Sequence, residues 1–310
     1  MKKTGLVVCA VFVLITLFAG CSKLQPGTGG TEKRGENEKL QVYASVYPVA
    51  DFARKIAGDR AEVLEILPAG AEPHDWEPSP KDIVALSKAD LLLYNGAGLE
   101  HWVDAVLRSL HPTSLLAVET AQGVELLARQ SGGHESGADP HIWLDPQRAK
   151  LQMQSICDAM CEADPLNAEY YSQNYTKWAT ELDSLHAEYT AALSGMAQRD
   201  IVVAHEAFGY LCNAYGLTQV GAQGFSPEGE PNPAQMAALI DYARSHRIKI
   251  VFFEEAASPK IAETIAREIG AETGVLNPLE SLTTEQRQAG EDYFSVMRQN
   301  LQMLVRALAE

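Results

Sequence analysis

The sequence predicts an α/β protein of two (βα) lobes with parallel sheets, joined by one long rigid helix. Three observations carry that expectation. Short apolar runs at residues 90–94, 201–204 and 248–253 have the length and continuity of strands buried on both faces. Ser79-Pro80, Asn232-Pro233 and Ser258-Pro259 each pair a capping residue with a proline at the first helical position, so helices alternate with the strands. Near the middle, Tyr171, Tyr175, Trp178, Leu182, Leu185, Tyr189 and Ala192 recur at helical spacing between Asp164-Pro165 and Gly195.

The chain opens with Met-Lys-Lys and an apolar run over residues 6–19, closing in Phe18-Ala19-Gly20-Cys21. A basic start, a short apolar core and small residues before a cysteine describe a lipoprotein signal over residues 1–20. Its apolar run is shorter than the ~20 residues that cross a bilayer. Cys21 is the expected lipidation site and first mature residue, its acyl chains (palmitate among them) anchoring the protein to the outer face of the cell membrane. Residues 21–39 are rich in Gly, Thr, Lys and Glu without apolar periodicity, and read as the lipidated cysteine followed by a flexible tether.

About 270 residues remain, enough for two lobes of ordinary size. The first, residues 40–163, begins with an alternating strand at 40–46, a helix through Phe52 and a strand at 61–67 ended by Pro68. Ser79-Pro80 then opens a helix with Asp82 in its first turn, followed by the strand at 90–94. The linking segment, residues 164–196, is expected as one helix of about 28 residues, roughly 42 Å long. The second lobe, residues 197–310, holds strands at 201–204, 248–253 and 274–276, helices opened at Asn232 and Ser258, and a closing helix at 292–308.

The formal charge is −16, and loss of the two lysines of residues 1–20 takes it to about −18. An acidic surface argues against nucleic acid and against direct docking on anionic lipid, and is compatible with a cationic cargo. Of five cysteines, Cys9 leaves with the signal and Cys21 is lipidated. Cys157 and Cys161 lie four apart on an apolar helix face and read as core. Any disulfide among these two and Cys212 leaves one thiol over, so disulfides do not organise the fold.

Candidate function resides in Glu-Pro-His74-Asp-Trp, Asp-Pro-His141-Ile-Trp, Val-Val-Ala-His205-Glu and Asn-Pro-Leu-Glu280. Three neutral imidazoles and one carboxylate are the donor set of a tetrahedral Zn²⁺ site. Their separations of roughly 65 to 75 residues exclude one helix or one finger, so four loops must converge, and the metal site is expected in the cleft between the lobes. His74 and His205 follow strands, where open α/β sheets bind their ligands. His101, His111, His134, His186 and His246 have no comparable setting. Asp75, Asp145 and Glu206 adjoin these residues and are candidates to orient imidazoles. Trp76, Trp143 and Phe208 are candidates to wall the site.

The phrases Glu72-Pro-His-Asp-Trp-Glu-Pro-Ser79, Asp139-Pro-His-Ile-Trp-Leu-Asp-Pro146, Ala204-His-Glu-Ala-Phe-Gly-Tyr210 and Leu276-Asn-Pro-Leu-Glu-Ser-Leu282 resemble, in this order, those of the zinc/manganese solute-binding lipoproteins of ABC-type uptake systems. The resemblance runs from about residue 40 to the end. It implies two lobes bridged by a long helix, with His74 and His141 from the first lobe and His205 and an acidic residue from the second. Manganese-handling members tend to carry a carboxylate where this chain has His205, and imidazole suits zinc, so the zinc-type subgroup is implied. Many members place Asp where Asn277 stands. Glu280 is then the expected fourth ligand, with water, Glu72, Glu254 or Glu255 as the alternatives. The family's His-rich loop is reduced here to residues 130–139 with His134 alone, which argues against pre-collection of cargo there.

The function so implied is extracytoplasmic capture of Zn²⁺ as cargo and its delivery to an ABC-type permease in the membrane, by a monomer that is not an enzyme. The alternatives are a manganese or mixed zinc/manganese carrier, or a lipid-anchored zinc hydrolase with Glu206 as base. The hydrolase requires an open fourth position, and the sequence lacks His-Glu-x-x-His. Adhesion to matrix molecules would coexist with transport, though no repeat or exposed motif argues for it.

Overall fold

Parallel pairing of eight strands into two sheets of four organises the computed structural model, which describes residues 38–111, 113–128, 137–223, 231–255 and 258–309. The expected signal, Cys21, all but the last two residues of the tether, and His134 lie outside the described residues. No helix among the described residues is long and apolar enough to cross a membrane.

The first half runs β1 (Leu40–Ala44), α1 (Tyr47–Ala57), β2 (Ala61–Glu65), α2 (Pro80–Leu86), β3 (Leu91–Tyr94), α3 (Val103–Ser109) and β4 (Leu116–Glu119). A 3-10 turn at Ile142–Leu144 leads into α4 (Pro146–Ala163), and a second at Pro165–Asn167 into α5 (Ala168–Leu193). The second half runs β5 (Asp200–His205), α6 (Gly209–Tyr215), β6 (Thr218–Gln223), α7 (Pro233–Ser245), β7 (Ile250–Phe253), α8 (Lys260–Ile269), β8 (Glu272–Val275), α9 (Thr284–Gln288) and α10 (Tyr293–Leu308). The sheet orders are β2-β1-β3-β4 and β6-β5-β7-β8, so both halves repeat one winding.

Local chemistry explains where elements begin. Ser79, Asn232, Thr283 and Asp292 each form a capping box, satisfying backbone N–H groups at the starts of α2, α7, α9 and α10. Asp145 caps α4 by accepting from Gln147 N–H at 2.9 Å. Asp164 departs from expectation. Its carboxylate accepts from the Asn167 amide and the Tyr171 hydroxyl, each at 2.8 Å, rather than capping a helix. Residues 165–167 therefore wind as 3-10, and α5 has 26 residues, about 39 Å. β4 and β6 are strands beyond those expected from the sequence. Both are edge strands whose residues are mostly half-buried, and they lack the continuous apolar run that marks β3, β5 and β7.

α5 touches both halves. Its Asn174 and Trp178 donate to the Ile56 and Lys55 carbonyls of α1, while Tyr189 donates to the Met297 carbonyl of α10 at 2.6 Å. One apolar cluster runs through Phe52 and Ile56 of α1, Leu182 of α5, Val203 of β5, Phe252 of β7 and Leu304 of α10. The two sheets cannot swing far apart without wetting that surface.

Lys55 sits at the junction of three helices. Its ammonium lies 3.1 Å from Asp51 and 2.8 Å from Asp292, and 4.8 Å from the centre of the Trp178 ring. Because the Lys55 side chain is 10% exposed and that of Asp51 11%, its removal strands the Asp51 carboxylate in a poorly solvated place, while Asp292, 34% exposed, keeps contact with water. Lys55→Met is expected to lower the unfolding free energy by about 3–5 kcal/mol. Urea melts beside the unmodified protein measure it, and a loss under about 1 kcal/mol would class the pair with surface bridges.

Candidate metal centre

Four polar side chains meet beyond the carboxyl ends of the strands. His74 lies in the loop after β2, His141 in the segment after β4, Glu280 in the loop after β8, and His205 is itself the last residue of β5. One nitrogen from each histidine and one Glu280 oxygen lie within 4.8 Å of one another. Glu280 Oε1 is 3.0 Å from His74 Nε2 and 2.8 Å from His141 Nε2. The three ring centroids are 5.1 to 5.7 Å apart. Zinc bonds of about 2.0–2.1 Å place tetrahedral ligand atoms about 3.3 Å apart. The observed separations bracket that value.

The ring orientations have definite causes. Asp139 Oδ1 accepts from the His141 backbone N–H at 2.9 Å and pairs with its Nδ1 at 2.8 Å, so Nε2 is left to face Glu280. Glu254 Oε1 pairs with His205 Nδ1 at 2.7 Å. The register of β5 with β7 sets Val203 beside Phe252, so two residues further on His205 stands beside Glu254. Gly209 is required by close packing here, since a side-chain carbon on it would overlap the Asp139 carboxylate.

Glu280 is held by its own loop. Leu279 adopts a left-handed backbone, φ 61°, which costs a branched residue roughly a kcal/mol or more. The Asn277 side chain meets that cost by accepting from Leu279 N–H at 2.7 Å. Asn300 on α10 in turn grips the Asn277 backbone, accepting at 2.9 Å and donating at 2.7 Å. Asn277 is thus a turn-former, its side-chain oxygen engaged by the Leu279 N–H.

Burial alone opposes charge on all four groups, and hydrogen bonding decides the outcome. Burial pushes His74 below the usual imidazole range, against the pull of Glu280. In His141 burial is outweighed by Asp139 and Glu280, and the imidazole is raised to about 10. His205 is also raised, burial being overcome by Glu254. Despite its burial, Glu280 is held well below the usual carboxylate range by its bonds to His141 and His74. Glu72, pushed up to about 8 by burial and by Glu280, stays 3.9 Å from His74 Nε2.

Of the carboxylates considered from sequence, Glu254 is engaged with His205, Glu255 accepts from Gln286 at 2.7 Å, and Glu280 alone joins the three imidazoles. The expected orienting residues lie elsewhere. Asp75 is exposed. Asp145 caps α4 and pairs with Arg148 at 2.7 Å. Glu206 accepts from Gly221 N–H at 3.3 Å. Asp139 and Glu254 occupy the orienting positions instead. The first was legible as Asp-Pro-His, whereas the second depends on strand pairing. Trp143 lies against the cluster, its ring 5.5 Å from His141 and its indole N–H donating to the Pro278 carbonyl at 2.7 Å. Trp76 packs on Trp102, and Phe208 is buried in the core. His101, His186 and His246 pair with Glu77, Tyr215 and Tyr242 away from the cluster.

The family model described as zinc-uptake complex component A, periplasmic, matches residues 42–307. The chain is similar to the high-affinity zinc uptake system protein ZnuA of Bacillus subtilis (strain 168), 36% identical over 313 residues, 98% of this chain and 97% of that protein. It is 37% identical over 285 residues to the zinc-binding protein AdcA of Streptococcus pyogenes serotype M1, a match covering 86% of this chain but only 55% of that longer protein. Among solved structures, the Zn(II)-bound ZnuA-like domain of Streptococcus pneumoniae AdcA superposes with a TM-score of 0.78 at 38% identity, covering 88% of this chain and all (100%) of that one. The laminin-binding protein Lmb of Streptococcus agalactiae, described as a bifunctional adhesin and metal transporter, gives 0.80 at 31% identity, covering 87% of this chain and 100% of that one. A family model matched from residue 42 to residue 307, with relatives above 30% identity along most of the chain, means that this chain belongs to the zinc-uptake complex component A family.

Proposed function

We propose that this protein captures Zn²⁺ outside the cytoplasm and delivers it to an ABC-type permease, with His74, His141, His205 and Glu280 as the four ligands. The observation that carries the reading is the convergence of three imidazoles and one carboxylate within 4.8 Å, in a chain of the zinc-uptake family. Imidazole-rich donor sets favour zinc over manganese, which prefers oxygen. Four protein ligands suit carriage, because hydrolytic zinc keeps a position for water. Glu206, the base that a hydrolase would need, is turned to the Gly221 backbone. Lipidation at Cys21 and anchorage at the membrane surface complete the proposal, supported by the leader sequence and by relatives named as lipoproteins, and the protein is proposed to act as a monomer.

Chelator-competition titration of the metal-stripped protein is expected to give one tight Zn²⁺ equivalent and much weaker Mn²⁺ binding. His205→Ala should lose at least about 100-fold in Zn²⁺ affinity while His134→Ala changes little. Equal losses in the two variants would reject the ligand set, and comparable Mn²⁺ binding would reject the zinc assignment.

Protons compete with zinc for the same nitrogens. His141, raised to about 10, holds its proton at neutral pH and must release it to bind; His205 is shifted in the same direction by Glu254, and His74 in the opposite one by burial. Affinity should therefore rise with pH between 6 and 9, by about one to two decades per unit. Calorimetry in buffers of different ionisation enthalpy should count about one to two protons released at pH 7, and an affinity flat across that window would contradict the scheme.

Glu254→Gln keeps a hydrogen-bond partner for His205 but removes the charge, and is expected to weaken zinc binding by about 10–100-fold. The same titration measures it, and an unchanged affinity would mean that Glu254 does not tune the imidazole.

A further inference from the structure

The segment carrying Glu280 follows β8 in the second half of the chain, yet most of its fastenings run to the first half. Ser281 Oγ accepts from Gly70 N–H at 3.0 Å, the Pro278 carbonyl accepts from Trp143 Nε1 at 2.7 Å, and the Glu280 carbonyl accepts from Tyr47 N–H at 3.4 Å. The strongest attachment is a two-pronged ion pair. Arg287 Nη1 and Nη2 donate to the two Glu65 oxygens at 2.8 and 2.9 Å. Its remaining Nε donates back to the Leu282 carbonyl at 3.2 Å, within the loop itself. The Glu65 side chain is 4% exposed and is the last residue of β2, the strand whose following loop carries His74.

The preceding residue on α9 reaches the other way. Gln286 Nε2 donates to Glu255 at 2.7 Å, next in sequence to the Glu254 that orients His205. Adjacent side chains of this short helix thus grip both walls of the centre. Between them lies a pocket of about 60 Å³ lined by Glu72, Glu254, Glu255, Glu280 and Gln286.

We propose that Arg287 is a positioning residue of the metal centre: clamped to Glu65, it holds the Glu280 carboxylate against His74 and His141 and so sets how slowly zinc leaves. The inference rests on the ligand assignment above. The planar fork of arginine matches a carboxylate in two places while a third N–H fixes the loop. A lysine offers a point charge without that geometry. Loosening the fork frees the residues between Leu282 and Leu276 to drift, and a ligand carboxylate displaced by about an ångström no longer closes a tetrahedron of ~2 Å bonds.

The test loads the full chain with zinc and follows its release into excess fluorescent chelator. Arg287→Lys and Glu65→Gln are each expected to speed release at least fivefold, and the double variant to be no faster than the worse single one. Arg298→Met is the structural control, because it breaks a more exposed arginine fork to Glu188, at 2.8 and 2.9 Å, and a bond to Glu181 at 2.7 Å, both between α10 and α5. It should lower the melting temperature and leave the release rate within twofold. Release from Arg287→Lys within twofold of the unmodified protein, or equal acceleration by Arg298→Met, would overturn the proposal. Failure of the unmodified protein to hold zinc would instead overturn the ligand assignment on which it rests.

Discussion

The Glu280 carboxylate is 5% exposed and lies among three imidazoles, and the cost of keeping that charge from water shapes its surroundings. It is met by two hydrogen bonds from histidine, at 3.0 and 2.8 Å, and the histidines need partners of their own. Asp139 behind His141 and Glu254 behind His205 supply them, each at less than 3 Å. His141 and His205 therefore each meet a second carboxylate on the outer side of the ring, which leaves one nitrogen turned inward. The same economy explains the loop. Leu279 is forced into a left-handed backbone to aim Glu280, and Asn277, Asn300 and Trp143 satisfy the backbone groups exposed by that turn.

Such a cluster cannot be built from one stretch of chain. Two sheets with one strand order offer loops at corresponding carboxyl ends, and the proposed ligands come from the loops after β2, β4 and β8 and from the end of β5. Holding groups from two sheets to within a few ångströms requires the sheets to be held as well. α5 and the apolar cluster that runs along it do so broadly, while Lys55 and the Arg287–Glu65 pair do so at single points. The acidic pocket beside the centre fits the handling of a divalent cation, since several carboxylates within reach attract the ion before any of them binds it.

Much of the site was legible because its chemistry is local. His74, His141 and Glu280 each stand beside a proline or within two residues of one, and that context marks an ordered loop rather than a solvated tip. His205 closes an apolar run that can hardly be anything but a buried strand. The orienting carboxylates were harder to find. Sequence adjacency pointed to Asp75, Asp145 and Glu206, but neighbours in a turn or strand need not face the same way. Asp145 was needed as a helix cap, and Glu206, one residue beyond His205, turns to the Gly221 backbone. Glu254 reaches His205 across 49 positions, a distance that only strand pairing closes.

Residue type and local pattern determined the class of fold, the long helix, the donor chemistry and the identity of the converging side chains. Those depend on periodicity, capping and the affinity of imidazole and carboxylate for a metal, all written within a few residues. Tertiary structure decided the rest: the order of the strands, the edge strands β4 and β6, the carboxylate behind His205 and the clamp from Arg287 to Glu65. These are pairings between groups far apart in the chain. Their energy comes from burial shared by both partners, which neither segment expresses alone.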